Sequence, residues 1–103
     1  MLEKHFASQL EDLFRLTGWR FQHQRPAQYI DGRYATHFTG DQGFPDYVAV
    51  RGDRLIFTEL KTDTGRATTS QLTWLSDLQS ARTIEVYLWR PSDLNQIGRI
   101  LAR

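Results

Sequence analysis

With 103 residues, 13 Lys plus Arg against 12 Asp plus Glu and a net charge of +1, the chain has room for a single domain over residues 1–103 and no global basic field, which rules out nucleic-acid binding by bulk charge alone. Cysteine is absent, which excludes disulfides, thiolate zinc sites and cysteine nucleophiles together and fits a reducing compartment. No apolar run approaches membrane length and the opening MLEKHFASQL is too polar for a signal peptide, so a soluble cytoplasmic protein without membrane partners is expected. Of the 13 cations only Lys4 and Lys61 are lysines; the other 11 are arginines, the side chain better shaped for bidentate phosphate contacts.

The first element in chain order is a helix. LEKHFASQLEDLFRL sets Leu2, Phe6, Leu10, Leu13, Phe14 and Leu16 mostly at steps of three and four, an amphipathic spacing closed by Gly18. WRFQHQ alternates like a short strand. Arg25 to Gln42, with its Pro, Asp-Gly and further Gly, reads mainly as loop with a small strand around Tyr29, and carries Arg33, Tyr34, His37 and Phe38. A hairpin from Asp46 to Lys61 follows. TSQLTWLSDLQSA, with Leu72, Leu75 and Leu78 every third residue and Trp74 beside them, predicts a second helix capped by Ser70 or a nearby Thr. TIEVYLW is a strand by its β-branched and aromatic content, and PSDLNQIGRILAR opens with Pro and Ser before a short amphipathic helix.

The hairpin carries the chemistry. Gly52-Asp53 suits a two-residue turn of type I′ or II′, because Gly accepts the positive φ required at the first central position. Centred there, the register pairs Arg51 with Arg54, Val50 with Leu55, Ala49 with Ile56, Val48 with Phe57, Tyr47 with Thr58 and Asp46 with Glu59. The last pair sets two carboxylates face to face, which destabilises a sheet unless something positive stands between them. Alternation brings Lys61 to the same side as Glu59, at the rim of a face formed by Val48, Val50, Leu55 and Phe57. Taken singly, Asp46 is a turn residue after Pro45, and Glu59 with Lys61 a solvated strand-end pair. Taken together, two carboxylates and an ammonium match the oxygen ligands and activated water that Mg²⁺ or Mn²⁺ chemistry requires.

In order and spacing, "GFPDYVAV", "FTELKTDTGRATTSQLTWL" and "VYLWRPSDL", together with "LEKHF" and "GWRFQH", resemble the VRR-NUC family of the PD-(D/E)xK nuclease superfamily, in its compact stand-alone phage or bacterial type. The resemblance implies a restriction-endonuclease-like αβββαβα core, a mixed sheet flanked by helices. It implies that Asp46, Glu59 and the backbone carbonyl of Leu60 bind the catalytic metal, and that Lys61 orients or helps deprotonate the attacking water. An acidic residue on the first helix is implied as a further ligand; Glu3 matches it, with Glu11 and Asp12 as competitors. Gln71 matches a glutamine placed near the active site, early on the following helix.

Arg66, in the loop after Lys61, is the preferred phosphate contact. The three histidines match no zinc spacing. His5 is expected on the helix surface; His23, near the sheet rim, and His37, in the loop before Gly43, are expected to line a DNA channel with Arg33. The function expected is a Mg²⁺- or Mn²⁺-dependent DNA endonuclease, selective for branched structures such as four-way junctions and acting as a homodimer in a bacterial cell or phage-infected host. Trp74, Leu78 and Ile97 are expected to supply exposed apolar contact for that dimer. The alternative is a nuclease-type fold that holds DNA or a partner protein with little or no cutting, and no feature of the chain separates DNA from RNA as substrate.

Overall fold

The amphipathic spacing at the start of the chain builds helix α1 (Glu3–Leu16), which buries Phe6, Ala7, Leu10 and Phe14. Leu16, expected on that stripe, is 82% exposed. It lies two residues beyond Phe14, about 200° further around the helix, and so faces away from the sheet. The computed structural model describes residues 3–24, 27–28, 34–35 and 38–103. Among the described residues six strands come after α1: β1 (Arg20–His23), β2 (Ala27–Gln28), β3 (Tyr34–Ala35), β4 (Tyr47–Arg51), β5 (Arg54–Leu60) and β6 (Ile84–Trp89); β3 falls where a loop is expected. The small strand expected around Tyr29 has a counterpart in the β2–β3 ladder, although Tyr29 itself lies outside the described residues. Helix α2 (Thr69–Gln79) separates β5 from β6, and a 3-10 turn (Pro91–Asp93) leads into α3 (Leu94–Ala102).

Four strands form one open mixed sheet in the order β1-β4-β5-β6. The β1–β4 and β4–β5 pairs are antiparallel and β5–β6 is parallel. A parallel neighbour needs a crossover, and α2 supplies it. The hairpin register is the expected one through all five pairs of the ladder, from Arg51↔Arg54 to Tyr47↔Thr58. At the turn Gly52 has φ +61°, while Asp53 does not take a positive φ, the pattern of a type II′ turn.

Alternation along β4 and β5 sends Tyr47, Ala49, Ile56 and Leu60 into the core, where they meet α1, Trp19, Trp89 and the α3 residues Ile97 and Leu101. Ile97, expected to be exposed, is buried because it shares the inward stripe of α3 with Leu101. The opposite face carries Val48, Val50, Leu55 and Phe57, none of them buried, and α2, which packs chiefly on β6, buries none of its own residues. Its leucine period of three drifts around a 3.6-residue helix, so Leu72 ends 52% exposed while Trp74, Leu75 and Leu78 are half-buried. Strand β6 begins at Ile84, because Thr83 takes φ +73° and turns the chain before the ladder starts. No helix among the described residues is long and apolar enough to cross a membrane.

Candidate active site at the open end of the hairpin

The β4–β5 ladder stops at Tyr47↔Thr58, one pair short of the two acids. Beyond it the Leu60 N–H has no strand carbonyl to meet, and the Asp46 carboxylate takes it at 2.9 Å. The next amide, that of Lys61, points the other way and donates to the Trp89 carbonyl at 3.1 Å. In an antiparallel pair a residue's N–H and C=O face the same neighbour, so the Leu60 carbonyl opens toward Asp46 as well.

Glu59 is the unusual member. It is only 2% exposed, and as a carboxylate its Oε1 has no hydrogen-bond donor. Its Oε2 is approached by the Gln71 amide nitrogen at 3.5 Å, the outer limit of a hydrogen bond. Burial first, then a hydrogen bond to Asp46 and the charge of that carboxylate, push its pKa from the ordinary 4.5 up to about 9. The charge of Lys61 pulls the other way, and that of Glu3 adds to the rise. Burial and the neighbouring carboxylate thus both disfavour a charge on Glu59 in the metal-free protein.

Gln71 is held by the helix it starts. Its side-chain oxygen accepts from the Thr68 N–H at 2.8 Å while the Thr68 hydroxyl accepts from the Gln71 N–H at 3.2 Å, a capping box that leaves the amide nitrogen turned to Glu59. The loop that carries Lys61 and Arg66 has an anchor that sequence reasoning missed. Arg90 donates to the carbonyls of Thr62 at 2.6 Å and Gly65 at 2.8 Å. The arginine follows the last residue of β6 and the loop follows β5, so parallel pairing of the two strands brings them together. Only that pairing, not a local motif, would have revealed it. Arg66 itself is exposed.

On α1 the three candidate acids separate. Glu3 is exposed and acts on Glu59 through its charge. Glu11 is engaged elsewhere: it accepts from the Tyr47 hydroxyl and lies 3.2 Å from Nδ1 of His23. Asp12 lines a separate cleft between α1 and α3. His23 ends β1 as expected, but its ring stacks on Tyr47 at 4.1 Å between centroids and is held by Glu11, so the fold already uses it. His5 lies on the exposed face of α1. Arg33 and His37 lie outside the described residues.

Among the described residues no three His, Asp or Glu side chains gather at one point. Asp46, Glu59 and Gln71, with Lys61 acting electrostatically on Glu59, are the groups brought together. Such an arrangement suits a hard divalent cation: two carboxylates that repel one another, one with a buried oxygen lacking a donor, and a backbone carbonyl opening to the same side. No family model matches this chain, and neither a curated protein nor a solved structure does.

Proposed function

We propose that the protein is a Mg²⁺- or Mn²⁺-dependent phosphodiesterase that cuts DNA, with a core of the restriction-endonuclease type. The observation that carries this reading is the Glu59 carboxyl group, buried at a sheet rim against a second carboxylate with one oxygen lacking a donor. A structural acid at that depth is normally paired with a cation, and here the groups around it are another acid, an amide and a lysine charge. Opposed carboxylates repel phosphate, so a protein that only held DNA would gain nothing from them.

Asp46, Glu59 and the Leu60 carbonyl would hold the cation, with Glu3 adding negative charge from α1. When bound, it supplies Lewis-acid charge to the phosphate and makes water a competent nucleophile at neutral pH. The part of Lys61 is to orient the attacking water and offset charge building on the phosphate oxygens. Gln71, fixed by the capping box, offers its amide N–H to a phosphate oxygen or to the water. Asp46 is fixed by its bond to the Leu60 N–H, so its carboxylate is oriented before any ligand arrives. Arg66 is exposed in the anchored loop and contacts a flanking phosphate.

A homodimer acting on branched DNA belongs to the same reading. The apolar surface such a dimer would bury is the one left exposed at Val50 (40%) on the sheet and Leu72 (52%) on α2. Labelled duplex, flap, single-stranded and four-way-junction DNA, incubated with Mg²⁺ or Mn²⁺, tests the activity. Cutting is expected that EDTA abolishes and Mg²⁺ restores, with Ca²⁺ supporting binding but little turnover. Full cutting in excess EDTA overturns the metal; binding without cutting on every substrate overturns the phosphodiesterase in favour of a binding module.

A further inference from the structure

A cleft of about 640 Å³ opens beside the carboxylates and shares two residues with them, Asp46 and Gln71. Its walls are aromatic: Phe38, Phe44 and Trp74. Phe38 is 54% and Phe44 39% exposed, a large apolar outlay for side chains that the core has not claimed.

The walls are held in place. Gly43 has φ +97°, and a Cβ there would lie 2.5 Å from the Ser70 backbone and 2.7 Å from the Gln71 nitrogen, so only glycine lets the loop lie directly on the first turn of α2. The Trp74 indole N–H donates to the Asp41 carbonyl at 3.2 Å, which ties loop to helix one turn further on. Phe44 stands edge-on to Trp74 at 5.1 Å and to Phe57 at 6.0 Å. Phe44 and Trp74 are thereby set before any ligand arrives.

The chemistry of the lining selects the occupant. The described side chains that line the cleft are aromatic, polar or acidic, the last being Asp41 and Asp46, a lining that suits a neutral group better than a phosphate. A neutral, flat group with hydrogen-bonding edges fits: aromatic faces stack on it, while Gln24, Thr39 and Asp41 meet its donors and acceptors. In a nucleic acid that group is a base. Because the cleft and the carboxylates share residues, a strand whose phosphate lies at Asp46 and Glu59 brings a neighbouring base to the cleft mouth.

Resting on the phosphodiesterase reading above, we propose that this cleft takes one unstacked nucleobase next to the scissile phosphate. The substrate class it selects is DNA with an unpaired nucleotide at the cut: a single strand, a flap, a fork or the crossover of a junction. In an intact duplex the base is stacked and paired, and delivering it costs unstacking energy that the cleft only partly recovers.

The test uses the full chain and oligonucleotides carrying 2-aminopurine at varied positions, in Ca²⁺ for binding and in Mg²⁺ for cutting. Saturable quenching of the probe is expected in single strands and flaps but not inside a matched duplex, greatest next to the cut and weakened in Trp74→Phe. Phe38→Ala, at an exposed position that the fold does not need, is expected to reduce the single-strand preference over duplex by roughly 5- to 150-fold. Equal affinity for single strand and duplex, or a preference unmoved by Phe38→Ala and Trp74→Phe, overturns the base site. Cutting that persists in that case leaves the phosphodiesterase standing. Conversely, quenching at one position with no cutting of any substrate overturns the phosphodiesterase and leaves a base-binding cleft. A protein that binds none of the oligonucleotides loses both.

Discussion

The two ends of the β4–β5 hairpin treat charge in opposite ways. At the turn end, Arg51 donates to the carbonyls of Thr17 at 2.9 Å and Leu101 at 2.7 Å, and Arg54 grips both oxygens of Glu85 at 2.7 and 2.8 Å. Both guanidiniums lie over the Trp19 ring, 4.7 and 4.8 Å from its centroid. Trp19 in turn donates to the Leu101 carbonyl. Cations, carbonyls and a carboxylate close on each other there and fasten the end of α3 to the sheet. At the open end of the same seven-residue strand, β5 from Arg54 to Leu60, acid stands beside acid and a buried oxygen has no donor. A charge cluster that satisfies itself is scaffold; one that the fold holds unsatisfied is prepared for something to bind.

The widest separation between the ends is in activity. On the phosphodiesterase reading, Lys61→Ala and Asp46→Asn are expected to lower cleavage by at least about a hundredfold, since each removes a group that reading assigns to the phosphate, its water or the cation. Lys61→Ala should leave the melting temperature nearly unchanged, and DNA affinity should move little because one cation among many is lost. Arg51→Ala should do the reverse. It removes hydrogen bonds to the Thr17 and Leu101 carbonyls and a stacked guanidinium, a loss of about 1–3 kcal/mol in stability, with the cleavage rate per folded molecule retained. Single-turnover kinetics and chemical denaturation on the same samples check both, and an Arg51 variant with normal stability and dead chemistry would erase the distinction.

The two ends also answer pH with opposite sign. Glu59 is raised from 4.5 to about 9, so the folded metal-free protein binds its proton more tightly than the unfolded chain. That contribution is complete below about pH 4.5 and is lost as pH rises through 9. Glu85 is lowered, first by its hydrogen bond from Arg54, so its contribution is complete above its ordinary pKa of 4.5 and is lost as pH falls through the depressed value. Thermal melts in EDTA from about pH 3 to 9.5 should therefore show an alkaline limb that Glu59→Gln flattens and an acid limb that Glu85→Gln flattens. Near pH 9, Glu59→Gln should stabilise the metal-free protein by about 1–3 kcal/mol, since an amide carries no charge to leave unpaired. Mg²⁺ should stabilise the wild type but not this variant, by about 2.7 kcal/mol at a hundred times its Kd. An alkaline limb that persists in Glu59→Gln would move its source elsewhere.

What could be read from the chain follows the range of the interactions. The hairpin register is local, set by Gly52 and by strict alternation, and it holds from Arg51↔Arg54 to Tyr47↔Thr58; the expected Asp46–Glu59 pair lies just beyond the ladder, where Asp46 instead takes the Leu60 N–H and acts on Glu59 through its side chain. The helix stripes are local too, apart from Leu16 at a helix end and Ile97, whose burial depends on how α3 meets the sheet. The Arg90 anchor, the Glu11–Tyr47–His23 group and the Trp19 clamp join residues dozens of positions apart and have no local signature. His23 illustrates the difference: its place at the rim was legible from strand periodicity, but its partners were not. The aromatic cleft was hidden for the same reason, since Phe38 and Trp74 come to line one cleft only where the Gly43 loop lies on α2.

Gln71 joins both kinds of role in one side chain and gives the finest test. Its oxygen belongs to the capping box with Thr68 and its nitrogen to Glu59, so Gln71→Ala loses both and cannot say which matters. Gln71→Glu separates them. A glutamate serves as well as glutamine at the third position of a capping box, so α2 should keep its start and the stability change should stay within about 0.5 kcal/mol in Mg²⁺. The donor to Glu59 is gone, however, and a third carboxylate enters a site that already holds two. Cleavage should fall roughly tenfold, a smaller effect than at Lys61, because the amide bond at 3.5 Å is long and its loss leaves both carboxylates in place. Metal dependence should shift as well, with more Mg²⁺ needed to expel a proton from the crowded acids in the absence of DNA and less sensitivity once that concentration is reached. Should Gln71→Glu cut like the wild type while Gln71→Ala is unstable, Gln71 is a helix cap alone and belongs with the scaffold of the turn end rather than with the open rim.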